Sequence, residues 1–245
     1  MMARVGILIV ATMLSMAAFA QHAPGEGLVL EPAHNDVADT ASLQRGAKYV
    51  VNYCLGCHAA QYVRYNRVGA DLGLTEDELV ENLMFTDGRP FDTMATSLRA
   101  QDAVRWFGVA PPDLSLIARS RGTDYIYNFL RGFYADDSTL TGANNLWLNN
   151  TAMPHVLWQL QGIRRPSSTD EAEADGVLHL ETVRAGALSA AEFDGVVRDI
   201  VNFLDYIGEP IQLQRQALGI RVIGFLLLFL VLSYMLKREI WKDVH

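Results

Sequence analysis

Cysteine is nearly absent from this 245-residue chain, which has two, Cys54 and Cys57. Two thiols three positions apart exclude a disulfide framework, and without a second Cys pair a four-thiolate zinc site is excluded as well. Positive charge is also short. Twenty Lys and Arg face 28 Asp and Glu, a net charge of −8. Phosphate-backbone binding needs a basic surplus, so no nucleic-acid partner is expected. There is no internal repeat, which sets aside solenoids and propellers. Long apolar runs are confined to two places, one near each terminus.

The first run reads as an export signal. Arg4 is a short positive region, Val5–Ala18 is apolar but short for a span, and Ala18-Phe19-Ala20 is a small-residue cleavage site. Residues 1–20 are therefore expected to be a signal peptide. The second run, Ala217–Leu236, holds one charge, Arg221. Twenty helical residues rise about 30 Å, the thickness of a bilayer core. Phe225–Leu232 is apolar all round, unlike an amphipathic core helix. Lys237, Arg238 and Lys242 follow, and such basic residues stay on the cytoplasmic side. The expected layout is a periplasmic domain over 21–216, a single span over 217–236 in a bacterial inner membrane, and a cytoplasmic tail over 237–245. The exported part carries 15 Lys and Arg against 26 Asp and Glu, a net of −11. Such a surface suits a cationic partner met by salt-sensitive encounter.

Both cysteines fall in Cys54-Leu55-Gly56-Cys57-His58, a C-x-x-C-H run. On a helical turn, positions 54, 57 and 58 share a face. Two thiols there reach the two vinyl groups of one porphyrin, and the histidine meets its iron. Gly56 leaves room for the macrocycle edge. The run therefore predicts one covalently attached c-type haem with His58 as an axial ligand. A thioredoxin-like dithiol is disfavoured, because the preceding segment Leu43–Tyr53 reads as a helix rather than a strand.

Gln21–Asp39 is rich in Pro and Gly and reads as extended. A helix from Thr40 or Ser42 runs into Cys54, with Leu43, Ala47, Val50 and Val51 on one side. Gly46 on it predicts a close helix crossing. The partner is a helix over Ala190–Ile207, opened by the capping box Ser189-Ala190-Ala191-Glu192 and ended by Gly208 and Pro210. Shorter helices are predicted from Thr75 to Phe85, over Asp113–Ser120 and over Asp124–Tyr134. Arg164–Gly176 reads as a polar loop and Val177–Val183 as a short strand. The fold class is mainly α: a c-type cytochrome domain with long loops and little β structure, plus one C-terminal transmembrane helix.

The second axial position has several candidates: Met84, Met94, Met153, His34, His155 and His179. A methionine thioether favours Fe(II) and raises the potential, whereas an open site suits a haem sensor or peroxidase. Met153 leads the field, in the polar loop Asn149–Pro154. Met84 fits a helical core pattern, and Met94 follows a Gly-Arg-Pro turn. His155 reads as solvent-facing.

Further blocks surround these residues: Arg45-Gly46, Ala110-Pro111-Pro112-Asp113-Leu114-Ser115, Ala118-Arg119-Ser120-Arg121-Gly122 with Asp124-Tyr125, Ala152-Met153-Pro154, and Phe203-Leu204 leading to Glu209-Pro210. With these blocks and its single C-terminal anchor, the chain resembles the cytochrome c1 family, the haem subunits of ubiquinol–cytochrome c oxidoreductase. The resemblance implies a redox subunit that is itself an electron carrier, taking single electrons from a Rieske iron–sulfur protein and passing them to cytochrome c. It implies a cytochrome b subunit as partner and a dimeric complex. It assigns the sixth ligand to Met153, a propionate contact to Arg121 and Tyr125, and the haem-edge wall to Pro111 and Pro112, where a carbonyl could fix the His58 tautomer. Where some relatives carry amides before a glycine of this loop, Trp106-Phe107-Gly108 stands here, so no amide contact carries over. The alternative readings are an anchored monohaem carrier serving another oxidase or dehydrogenase, and an open-site sensor or peroxidase. The Pro-Pro-Asp-Leu-Ser block argues against the first.

Overall fold

A computed structural model describes residues 28–86, 88–167 and 178–242. The signal segment 1–20 and most of the Arg164–Gly176 stretch lie outside the described residues.

Two long helices organise the domain: α1, Thr40–Tyr53, and a second over Ala190–Gly208. Asp39 caps α1 by accepting from the Ser42 amide at 3.0 Å. The later helix opens with the expected capping box between Ser189 and Glu192. Each turns an apolar stripe inward. Leu43, Ala47, Val50 and Val51 on α1 meet Val196, Val197, Ile200 and Phe203, all buried. Burying side chains of this size stabilises a fold by about 1.5–3 kcal/mol each. The crossing is as close as Gly46 suggested. A Cβ at Gly46 would lie 2.1 Å from the Asp199 carbonyl oxygen. Beside this contact the Asp199 carboxylate accepts from Ser42 Oγ at 2.7 Å and from Arg45 Nε and Nη2 at 2.6 and 2.8 Å.

Between the two helices come β1 (Ala60–Arg64), α2 (Tyr65–Asp71), α3 (Glu76–Leu83), β2 (Thr93–Met94), α4 (Ala100–Phe107), α5 (Ile117–Arg121), α6 (Thr123–Arg131), β3 (Phe133–Ala135), β4 (Ala143–Asn145), α7 (Trp158–Gln161), β5 (Gly162–Pro166) and β6 (Leu180–Ala185); the Ala190–Gly208 helix is α8. The strands pair antiparallel as β1–β2, β3–β4 and β5–β6, with Phe133 opposite Asn145 and Pro166 opposite Leu180. β structure is thus sparse, as expected.

Several boundaries shift for identifiable reasons. The helix expected over Asp113–Ser120 begins only at Ile117, because the Asp113 carboxylate accepts from the Ser115 amide at 2.8 Å and holds a turn. The helix expected to reach Tyr134 ends at Arg131, where Gly132 passes the chain into β3. The polar loop expected from Arg164 starts as strand β5, and the short strand beyond it runs over Leu180–Ala185.

After α8 the chain enters α9, Gln212–Ile240, a helix of 29 residues that is long and apolar enough to cross a membrane. It extends beyond the apolar run at both ends. Glu209 sits at the joint, bound to Arg119 of α5 at 2.5 Å and to Arg215 in the first turn of α9.

Gly46→Ala should cost about 3 kcal/mol or more by overpacking, lowering the melting temperature by roughly 6–12 °C. Gly195→Ala on α8, where a Cβ meets nothing within 4 Å, should be neutral or slightly stabilising. Thermal unfolding of the two variants beside the parent checks both.

Candidate haem cavity

α1 ends at Tyr53, but its winding continues for one more turn. The Cys54 amide donates to the Val50 carbonyl at 2.9 Å, and the His58 amide to the Cys54 carbonyl at 2.8 Å. This turn places Cys54, Cys57 and His58 together in the wall of a cavity of about 290 Å³. A Cβ at Gly56 would meet no protein atom within 4 Å, so the protein neighbours alone do not demand glycine there.

Burial pushes the Cys54 thiol up to about 12, with Cys57 adding to the shift. Redox dithiols work through thiolates with lowered pKa, so this environment does not suit one. Burial also pushes His58 down, against the opposing pull of the Pro112 carbonyl. The imidazole is thereby kept neutral, the form that binds metal. His58 Nδ1 lies 2.7 Å from that carbonyl oxygen. A carbonyl can only accept, so Nδ1 carries the proton and Nε2 keeps its lone pair free.

The loop holding Pro112 is pinned at the two residues that follow it. The Leu114 amide donates to the Ala59 carbonyl at 2.7 Å, and the Asp113 carboxylate accepts from the Gln61 amide at 3.0 Å. Pro111 and Pro112 both line the cavity. So do Arg121 and Tyr125, which lie on successive helices, with the Arg121 guanidinium 5.7 Å from the centre of the Tyr125 ring. Gly122 makes this possible: its φ of 86° and ψ of 149° form a link between α5 and α6 that disfavours other residues.

Met153 and its neighbours Thr151, Ala152 and Pro154 form another part of the wall. Met153 alone of the six axial candidates lines this cavity. Met84 and Met94 are buried in the core elsewhere. His34 lines a separate polar cleft of about 500 Å³ that contains Arg45 and Asp199 and none of the motif residues. His179 precedes β6, where its carbonyl accepts from the Ser167 amide. His155 corrects the expectation of a solvent-facing ring. Its two ring nitrogens are buried, and the ring stacks on Phe133 at 5.1 Å with 2° between the planes. Burial, reinforced by Arg164, pushes its pKa down to about 4.

Several lining residues escaped the sequence reading. Ile200 and Leu204 belong to the buried apolar stripe of α8, and they are also cavity floor. Phe129, one turn after Tyr125, could have been found from that spacing. Phe107, Val109 and Leu148 come from segments with no motif. Their apolar surface suits the faces of a porphyrin. Two thiols and an imidazole on one turn, a thioether on another stretch of wall, and a guanidinium with a phenol together fit a c-type haem.

A family model described as the Cytochrome C1 family matches residues 33–244. Cytochrome c1 of Allochromatium vinosum is 47% identical over 241 residues, covering 97% of this chain and 99% of that one. A protein of Nitrosomonas europaea named ammonia monooxygenase gamma subunit is 44% identical over 230 residues, covering 94% and 95%. Cytochrome c1 of Rhodospirillum rubrum is 30% identical over 230 residues, covering 84% and 83%.

Removing the Asp113 carboxylate should unpin the proline loop. In Asp113→Ala, amide hydrogen exchange at Gln61 and Ser115 should accelerate at least tenfold (about 1.4 kcal/mol of lost protection) while the amides of α8 exchange as before. Unchanged exchange at both positions would contradict the pinning described.

Proposed function

The chain belongs to the cytochrome c1 family, and on that premise we propose how its cavity serves the electron-transfer haem subunit of quinol–cytochrome c oxidoreductase. The chain takes single electrons from the Rieske iron–sulfur protein and passes them to cytochrome c, within a complex that also contains a cytochrome b subunit. The observation that carries this reading is the convergence of Cys54, Cys57, His58 and Met153 on one cavity. Nothing on the chain favours the monooxygenase name of one relative.

When bound, haem supplies reversible one-electron exchange at its iron. The protein's residues bind and tune it. Cys54 and Cys57 would hold a single haem c through two thioether links. His58 presents Nε2 in a fixed orientation because Pro112 holds Nδ1–H. Met153 would hold the iron through a soft thioether, which favours the reduced state and would raise the potential. Arg121 and Tyr125 are placed to hydrogen-bond a propionate, whose carboxylate a guanidinium pairs well. Pro111 and Pro112 wall the haem edge, and the apolar floor keeps water out. No side chain acts as acid, base or nucleophile.

α9 anchors the domain in the lipid bilayer. The domain faces the periplasm of a bacterial inner membrane, because Lys237, Arg238 and Lys242 hold the C-terminus in the cytoplasm. The net −11 of residues 21–216 steers a basic electron acceptor. The complex is dimeric, as the family resemblance implies.

Met153→Leu tests the ligand and the function together. The variant should assemble with the cytochrome b and Rieske partners and keep its haem, while its midpoint potential falls by on the order of 0.1–0.3 V, inside the span that axial ligands set. Quinol-driven reduction of cytochrome c by the purified complex should slow sharply. An unchanged potential would remove Met153 from the iron.

A further inference from the structure

We propose that His155 is a positioning residue for the Met153 thioether, acting through the stacking of its ring on Phe133. The inference rests on the reading of Met153 as the sixth ligand. His155 follows Met153 by two residues, with Pro154 between them fixing its own φ near −65°. One backbone torsion between the ring and the thioether is therefore fixed. The ring lies parallel to Phe133, and Phe133 is 1% exposed. Phe133 in turn meets Phe129 edge-on at 5.2 Å, and Phe129 stacks on Tyr125 at 6.0 Å. Phe129 and Tyr125 line the same cavity as Met153. A continuous ladder of four rings thus ties the methionine loop to the α6 wall. The start of the loop is held by the Asn150 amide, which donates to Asn144 Oδ1 at 2.8 Å, but the Met153 amide itself makes only a long contact of 3.4 Å to Thr151 Oγ1.

The polar atoms around the ring show which property matters. Neither His155 nitrogen makes a well-formed hydrogen bond, nor do Gln161 Oε1 and Arg164 Nε, although the Gly162 backbone and the Gln161 side chain pull the His155 pKa up against its burial. Gln161 donates instead to the Arg131 carbonyl at 3.0 Å, and Arg164 to the Phe133 carbonyl at 3.0 Å. Replacing the imidazole by a phenyl ring keeps the stack and gives up only the weak polar contacts to Gln161 and Gly162. A histidine acting through hydrogen bonds would not be rescued by ring shape in this way.

The test uses the full chain in its membrane complex, with His155→Ala, His155→Phe and Met153→Leu. Two signals are read: the methionine-to-iron charge-transfer absorption of the oxidised protein, and carbon monoxide binding to the reduced protein. His155→Ala should lose most of the absorption and bind carbon monoxide. His155→Phe should keep the full absorption and exclude it. A full-strength band in His155→Ala overturns the proposal, and so does a His155→Phe variant that behaves like alanine. If His155→Ala fails to accumulate, Phe133→Leu removes the stacking partner without touching the loop; a full band there is equally contrary. A band that survives Met153→Leu would overturn the ligand reading itself, whereas a band lost in Met153→Leu but intact in His155→Ala sinks this inference alone.

Discussion

Helices α1 and α8 approach at Gly46 so closely that one added methyl group would overlap the Asp199 carbonyl. Everything at the cavity follows from that contact. The Cys54–His58 turn is the continuation of α1, and Ile200 and Leu204 of the cavity floor project from α8. The crossing therefore sets where the thiols stand relative to the floor. A polar lock beside it fixes register. Asp199, 8% exposed, is held by Ser42 and by both Arg45 donors, while Asn202 bridges the Asp36 carbonyl and Ser42. Leaving such a carboxylate without its partners would be strongly destabilising, so the lock disfavours a slipped helix pair more than it adds to stability.

From the same crossing, the two wall segments that carry the proposed iron ligands, His58 and Met153, are built differently. His58 sits on a helical turn, and its ring is oriented by a carbonyl in a loop with three further hydrogen bonds around it. That side is rigid by backbone pairing. Met153 sits in a loop with few backbone bonds and depends on side-chain packing, through Pro154, His155 and the ring ladder ending at Tyr125. A bond to a soft thioether is weaker than one to imidazole, so the methionine side is where packing defects would first be felt.

Much of this was legible in the chain. Periodic apolar residues and capping signals marked both long helices, Gly46 announced their close approach, and a twenty-residue apolar run marked the anchor. The C-x-x-C-H run located one wall of the site because its spacing matches a helical turn. Other parts carried a weak local signal or none. α4 carries Ala100, Ala103, Val104 and Phe107 at helical spacing, but it is only eight residues long and buries only Ala103 fully, so this short stripe was passed over. The paired β strands of two or three residues are too short to show alternation, and β6 is largely exposed along its length. The burial of His155 depends on Phe133, which is distant in sequence, so the preference of a lone histidine for the surface misled.

The central claim is that this cavity holds one haem linked through both thiols of the Cys54–His58 turn. Mass spectrometry of the proteolytic peptide spanning Cys54 to His58, taken from the natively assembled protein, tests it most directly. The account predicts a single haem adduct on that peptide, with neither cysteine available to alkylation. Recovery of the peptide with two free, alkylatable thiols and no haem mass would contradict it.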